Sequence, residues 1–409
     1  MDHRRVPPEW PVTAAIGRGI RTAQPQPVTF VELFFDLVFV FAVTQLTALT
    51  AHDLTPDGVL HSLLLGWLIW WAWTQFTWTL NPADTTHATV RVLTLAATGA
   101  AFVMAASVPR AFGDDALWFA LPYLVVRALG LGLQVAVELE RDGASHTAVN
   151  RWAGLSVIGL VLVLAGAIAE PGLRSPLWVL AIVADLLAAA VAGQRASWDL
   201  NPGHLTERHG LFVIIALGES LIVAGTAVAG EERTADLVAV VAASLVVACL
   251  LWWTYFGWLK DALEHRFAAV GSDRLGPLAR DAFSLGHFPL IGGIVGFAVA
   301  VEETVAHPAD PMPVPVLAAL GLGVALFVAS SAASLWRLGG PVLVPRLGVL
   351  VLLGAGLAIV AGGSPHPVIP MLVVAVGLLV LVIIEAVMPP DRHAGADAGR
   401  QASVARPAT

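Results

Sequence analysis

The sequence predicts an all-α fold: a polytopic membrane bundle of about twelve transmembrane helices. Three observations carry this. Of the 409 residues, 57% are hydrophobic and 13% are charged, whereas soluble domains run about 25% charged. Apolar segments of about 20 residues, the length that crosses a bilayer, recur along the chain. Basic residues collect in alternate connections between those segments, as the positive-inside rule requires of a multi-pass protein.

The segments fall at 28–50, 58–80, 88–110, 116–138, 152–170, 176–193, 209–230, 235–258, 281–302, 313–337, 342–362 and 367–388. The first runs from Val28 to Thr50 without lysine, arginine, glycine or proline. HDLTPDG, NPADTTH, PRAFGDD and ERDGASH close the first four, each a cluster of turn formers and charges. EPGLRSP and WDLNPGH bound the sixth, and GEERTAD separates the seventh from the eighth. A longer arginine-rich loop spans 259–280. HPADPMP, GGPVLVP and GGSPHP set off the last three.

With the N-terminus inside, the inner segments hold seventeen of the 22 basic residues. The outer loops hold Arg110, Arg174 and Arg233, while Arg91 and Arg127 lie within spans. This distribution predicts cytoplasmic N- and C-termini and an inner-membrane location. Residues 1–27 carry Arg4, Arg5, Arg18 and Arg21 but no apolar core, and read as a cytoplasmic tail rather than a signal peptide. Residues 389–409, rich in Ala, Gly, Arg and Asp, read as a disordered cytoplasmic tail.

An internal repeat emerges between the first and seventh helices. ELFFDLVFVFAVTQLT (32–47) overlays ERHGLFVIIALGESLI (207–222), and WWAWTQFTW (70–78) overlays WWTYFGW (252–258). The expectation is a parallel 6+6 duplication, with halves at 28–193 and 194–388.

Several charges lie inside these apolar segments. Glu32 and Asp36 share one face of the first helix with Thr29, Thr47 and Thr50. Such a face must look into the bundle or a wet cavity. Arg127 shares a stripe of the fourth helix with Tyr123, Gln134 and Glu138, and lies too deep to reach either interface. Asp185 and Glu219 sit near the middle of the sixth and seventh helices. Asp36, Asp185, Glu219 and the shallower Glu32 are therefore the candidates for cation or proton coupling. Arg127 and Arg91 are their expected charge partners. For Asp36 the depth favours Arg91, and for Glu219 it favours Arg127, for which Asp185 competes. Even with both arginines paired, one deep acid is left to be protonated, to bind a cation or to face water.

Glu207, Arg208 and His209 read as a charged collar at the cytoplasmic edge of the seventh helix. His204, Glu207 and His209 are metal-ligand types, but their spacing matches no familiar metal site. Trp67, Trp71, Thr74 and Trp78 share a face, and Trp67 and Trp71 offer a surface on which a substrate could stack. Cys249, the single cysteine, excludes an intrachain disulfide, a thiolate zinc site or an iron–sulfur cluster, and is expected to pack in the core. No basic run of the kind that binds nucleic acid occurs. No catalytic residues, resident metal or cofactor are expected, since no nucleophile–base pair, P-loop or dinucleotide fingerprint stands out. The expected partners are the lipid bilayer and a small ion or proton, and the protein is not expected to be an enzyme.

VELFFDLVFVFAVTQL and LTERHGLFVIIALGESLI together resemble the bacterial low temperature requirement protein A (LtrA) family, over about Val28 to Glu385. The resemblance implies a multi-pass membrane protein, with motif positions at Glu32, Phe35, Asp36, Glu207, Arg208, His209, Gly218, Glu219 and Ser220. LFFDLVFVFAVT is also similar to the first helix of bacterial six-helix potassium channels related to the lysosomal potassium channel. There Phe34, Asp36, Val38, Phe39, Ala42 and Thr44 match, while Phe35 and Phe30 depart from the channel pattern. Three functions follow: a secondary transporter or proton/cation-coupled exchanger using buried acids, a cation channel, or a non-transporting scaffold related to stress.

Overall fold

The computed structural model describes residues 19–22, 26–141, 146–193, 200–230, 232–341 and 343–387. The expected C-terminal tail, and most of the expected N-terminal one, lie outside these. Among the described residues the structure is helical. It contains no strand, only an isolated antiparallel bridge between Arg21 and Ala83.

The first half comprises α1 (Phe30–His52), α2 (Pro56–Leu80), α3 (Ala88–Ala106), α4 (Ala116–Leu139), α5 (His146–Ile168) and α6 (Pro171–Gly193). The second comprises α7 (Pro202–Gly230), α8 (Ala235–Phe256), the short α9 (Leu259–Ala268) and α10 (Ser272–Ala279), then α11 (His287–Ala306), α12 (Val314–Arg337), α13 (Val344–Ala361) and α14 (Val368–Val387). A π-helix at Arg280–Leu285 joins α10 to α11. The stretch expected as a loop over 259–280 thus holds two short helices.

Twelve of these helices are 18 residues or longer, and eleven of the described helical spans are long and apolar enough to cross a membrane. The remaining long helix, α2, is as long as its neighbours, but its tryptophans and threonines dilute its apolar character. It is sheltered accordingly: Trp70, Trp73, Thr74, Gln75, Phe76 and Thr77 are all buried. On the outside of the bundle, large apolar side chains such as Phe34, Leu37, Leu121, Val351 and Ile359 are exposed. An outward apolar surface of this extent needs lipid around it. The protein is a multi-pass membrane protein. Cys249 lies on this outer face of α8, exposed rather than in the core as expected.

The two halves have similar neighbour patterns. In the first, α1 packs on α2 and α3, α3 on α4, α4 on α5, α5 on α6, and α6 returns to α2. In the second, α7 packs on α8 and α11, α11 on α12, α12 on α13, α13 on α14, and α14 returns to α8. Some pairings depart: α2 packs on α4, whereas α8 packs on α11, and α12 also touches α14. The halves meet along a seam of α1 and α2 against α7 and α11.

Helices α1 and α7 run in the same direction along that seam. Glu32 meets Arg208 near their starts, and Thr44 meets Glu219 three turns further on. The same end of the bundle collects the start of α1, the ends of α2, α4 and α6, the start of α7, and the π-helix. Gln26 Nε2 donates to the Ala83 carbonyl, and the Arg21 backbone N–H donates to Glu140 at 3.1 Å. Asn81 Nδ2 donates to the Asn201 carbonyl at 3.0 Å, and Arg280 Nη1 donates to the Ala189 carbonyl at 3.4 Å. Membrane helices joined by short connections produce this alternation of ends.

Candidate functional site

The seam holds a cluster of charges near the starts of α1 and α7. Glu32 begins there as part of a helix cap: its Oε2 accepts from the Thr29 backbone N–H and from the Thr29 hydroxyl, each at 2.8 Å. Its Oε1 faces α7, where Arg208 Nη1 donates at 2.8 Å and His204 Nε2 stands 3.0 Å away. One turn deeper, Asp36 Oδ1 accepts from Arg208 Nη2 at 2.6 Å and from the Trp73 indole at 2.8 Å. Thr29 is half-buried, and the other side chains are buried. Asp36 therefore faces the bundle interior, as expected, but its partner is Arg208 rather than Arg91 or Arg127. Arg91 is exposed, and its Nε donates to the Thr85 carbonyl just ahead of α3.

Arg208 reaches this depth because α7 starts earlier than expected. It begins at Pro202 with Asn201 before it, and Asn201 Oδ1 accepts the His204 backbone N–H at 3.3 Å. Asparagine followed by proline is a helix-start signal, so the sequence did contain the clue. His209 is buried as well. Its ring lies against Trp70, Trp73, Phe283 and His287. Of the expected cytoplasmic collar, only Glu207 is exposed.

The second cluster lies within the first half. Arg127 Nη2 donates to Asp185 Oδ1 at 2.8 Å, and both side chains are 2% exposed. Tyr123 lies one turn from Arg127, with the guanidinium 5.8 Å from its ring centre. The Trp71 indole interacts with the Asp185 carboxylate. Arg127 is thus taken by Asp185, and Glu219 has a different neighbour: its carboxylate accepts from the Thr44 hydroxyl across the seam. Glu302 of α11 is close enough to Glu219 for the two charges to act on one another.

A cavity of about 70 Å3 opens beside the Arg127–Asp185 pair. Trp71, Thr74, Gln75 and Trp78 of α2 form one wall. Trp152 and Ser156 of α5 stand among the other lining residues, and Gly276 and Arg280 line it from α10 and the π-helix. The π-helix is tied in place here: Ser284 Oγ accepts from the Trp78 indole at 2.8 Å and its carbonyl accepts from the Trp70 indole at 2.7 Å. Arg127 lies eleven residues from Glu138 on α4, about 16 Å along the helix axis. The cavity therefore extends from the α10 end toward the middle of the bundle. Trp71 lines it. Trp67 does not, but stacks behind Trp71 at 5.5 Å and meets Phe288 edge-on.

A third buried pair, which the sequence reading did not pick out, lies in the second half. Arg346 Nε donates to Glu385 at 2.7 Å, and the Trp258 indole donates to the same carboxylate at 2.9 Å. Arg346 opens a span and Glu385 closes one, where charges ordinarily meet water, so nothing in the pattern marked them as buried. Among the described residues, no group of three or more His, Cys, Asp or Glu side chains is placed to hold a metal ion.

The chain matches the family model described as "Bacterial low temperature requirement A protein (LtrA)" over residues 27–383. It is also similar to an uncharacterized protein of Rhizobium meliloti (strain 1021), 32% identical over 290 residues, which are 68% of this chain and 70% of the relative. No solved structure matches.

Proposed function

The chain belongs to the bacterial low temperature requirement A family, and from that premise and the cavity above we propose that it is a secondary transporter of the inner membrane, coupled to a proton or cation through a buried acid. The observation that carries this reading is the cavity. It reaches from one end of the bundle toward its middle and places a buried Arg–Asp pair, indoles and amides along one aqueous-sized space. Midplane sites between helices of duplicated halves are the usual architecture of secondary transporters. The paired neighbour patterns of α1–α6 and α7–α14, and the parallel run of α1 and α7, support the 6+6 duplication.

The coupling acid in this reading is Glu219. Glu32 and Asp36 are held by Arg208, and Asp185 by Arg127. Glu219 has a hydroxyl for a partner and another carboxylate nearby, so it can gain or lose a proton without breaking a buried ion pair. Flux into proteoliposomes, measured for a panel of labelled solutes under an imposed pH gradient, tests the proposal. Gradient-driven accumulation is expected, and a protonophore should abolish it. Glu219→Gln keeps the volume and the Thr44 contact but cannot titrate. It should fold, and lose accumulation by about tenfold or more, roughly 1.4 kcal/mol of coupling. A folded Glu219→Gln protein with full gradient-driven uptake would remove Glu219 from the mechanism. Single-channel conductance in place of accumulation would favour the channel reading instead.

A further inference from the structure

We propose that the cavity over Arg127 binds an organic anion, a carboxylate on a flat or aromatic body. This deepens the transporter reading and rests on it for the route the ligand takes. It begins with unspent hydrogen-bond donors. A guanidinium carries five N–H groups. Asp185 engages Arg127 through Nη2, and Arg127 Nε and Nη1 have no partner among the described residues. Arg346, the buried arginine of the second half, is spent much more fully: Nε on Glu385, Nη1 on the Ser331 hydroxyl, and Nη2 on both the Thr254 carbonyl and Glu385. Arg174 likewise spends Nε and Nη1 on backbone carbonyls. Both of those arginines act as ties between helices. Arg127 is 2% exposed, lines a cavity, and keeps donors in reserve. Burying such donors unmet is unfavourable, the more so for a charged group, and an oxyanion in the cavity would meet them with charge-assisted bonds.

Two neighbours repeat the pattern. Gln75 and Thr74 line the same space, and both side-chain polar atoms of Gln75 and the hydroxyl of Thr74 are buried without partners among the described residues. The charge balance gives the sign of the ligand. Among the described residues Asp185 is the sole carboxylate that lines the cavity, and it is neutralised by Arg127. At the rim Arg280 shares Asp281 with Arg337, two arginines to one acid. The charged side chains that line the space are thus two arginines and one acid, a balance that favours an anion over a cation. Trp71, Trp78 and Trp152 supply flat apolar surface that an inorganic oxyanion would leave uncovered.

Binding to the purified full-length chain tests this independently of flux. The probes are phenylacetate, its neutral match phenylacetamide, its cationic match phenethylamine, and inorganic sulfate, each titrated by calorimetry. Phenylacetate should bind saturably and at least about tenfold tighter than the amide, the amine or sulfate. Arg127→Gln combined with Asp185→Asn removes both charges together, so no buried charge is left alone. With melting retained, it should bind phenylacetate and phenylacetamide equally. If that pair does not fold, Gln75→Leu provides the same reading, with phenylacetate weakened severalfold and phenethylamine unaffected. Tighter binding of phenethylamine, a preference for sulfate, or no saturable binding of phenylacetate at millimolar concentration would overturn the assignment. Anion binding without flux would keep this inference and sink the transport reading. Gradient-driven flux of a cation without anion binding would do the reverse.

Discussion

Glu207 and Arg208 are adjacent in the chain and opposite in fate. A single residue step, about 100° around the helix, leaves Glu207 exposed and puts Arg208 on the seam, fully buried between Glu32 and Asp36. Two carboxylates in a dry seam are tolerable because one guanidinium bridges them and Trp73 and Thr29 share the load. Removing the bridge leaves two acids with no solvent to screen them. Loss of one partner from a buried ion pair costs about 3–5 kcal/mol, and Arg208→Gln is expected to fall in that range in thermal melts of the detergent-solubilised protein. Glu207→Gln should change stability by no more than about 0.5 kcal/mol, as surface substitutions do. Equal effects from the two neighbours would show that the seam does not depend on this bridge. The sequence announced Glu32 and Asp36 as inward-facing, because 3.6-residue periodicity is a local property of one helix. It could not name their partner, because pairing across a seam depends on how deep α7 sits, which turns on its start at Pro202.

Between elements, backbone meets backbone at the crossing of α11 and α12. A Cβ on Gly293 would lie 2.5 Å from the Gly323 carbonyl oxygen and 2.7 Å from the Phe327 nitrogen, and one on Gly323 would lie 2.7 Å from the Gly293 carbonyl oxygen. The obstacles are backbone atoms, which cannot swing aside. In a bilayer, helices gain little from hiding apolar side chains, and small residues that let backbones close up drive association instead. Gly293→Ala should therefore separate the two helices at a cost of about 1–3 kcal/mol. Gly292→Ala, with nothing within 4 Å of the added carbon, is the matched control and should melt like the parent. A Gly293→Ala protein that melts with the control would mean the crossing is loose. The spans themselves were legible: the first, expected at 28–50, is Phe30–His52, and the twelfth, expected at 367–388, is Val368–Val387. The helices within 259–280 and the π-helix were not, since a short polar helix and an i→i+5 register leave no hydrophobic periodicity to read.

At the scale of the whole molecule, the packing decides which segments share an end, and which end faces the cytoplasm is a separate question. The arginines supply that direction. Arg21, Arg266, Arg280 and Arg337 belong to the end that holds the starts of α1 and α7, with Arg280 and Arg337 joined through Asp281. Arg110 and Arg174 belong to the other, where Arg174 binds the Ala111 and Gly113 carbonyls. Basic side chains resist translocation, so the richer end should be cytoplasmic. Ser272 opens α10 at that end, and Ala309 lies in the short connection after α11 at the opposite one. Both residues are exposed, so a cysteine at either position is open to reagent. Cys249 must first be replaced by serine, because it faces outward from α8 and would add a background signal. In intact cells, a membrane-impermeant maleimide should label Ala309→Cys and leave Ser272→Cys unmodified until the cells are permeabilised. Labelling of Ser272→Cys from outside, with Ala309→Cys protected, would invert the protein in the membrane. The cavity over Arg127 would then open to the exterior, and the pH gradient would have to be reversed for Glu219 to drive accumulation.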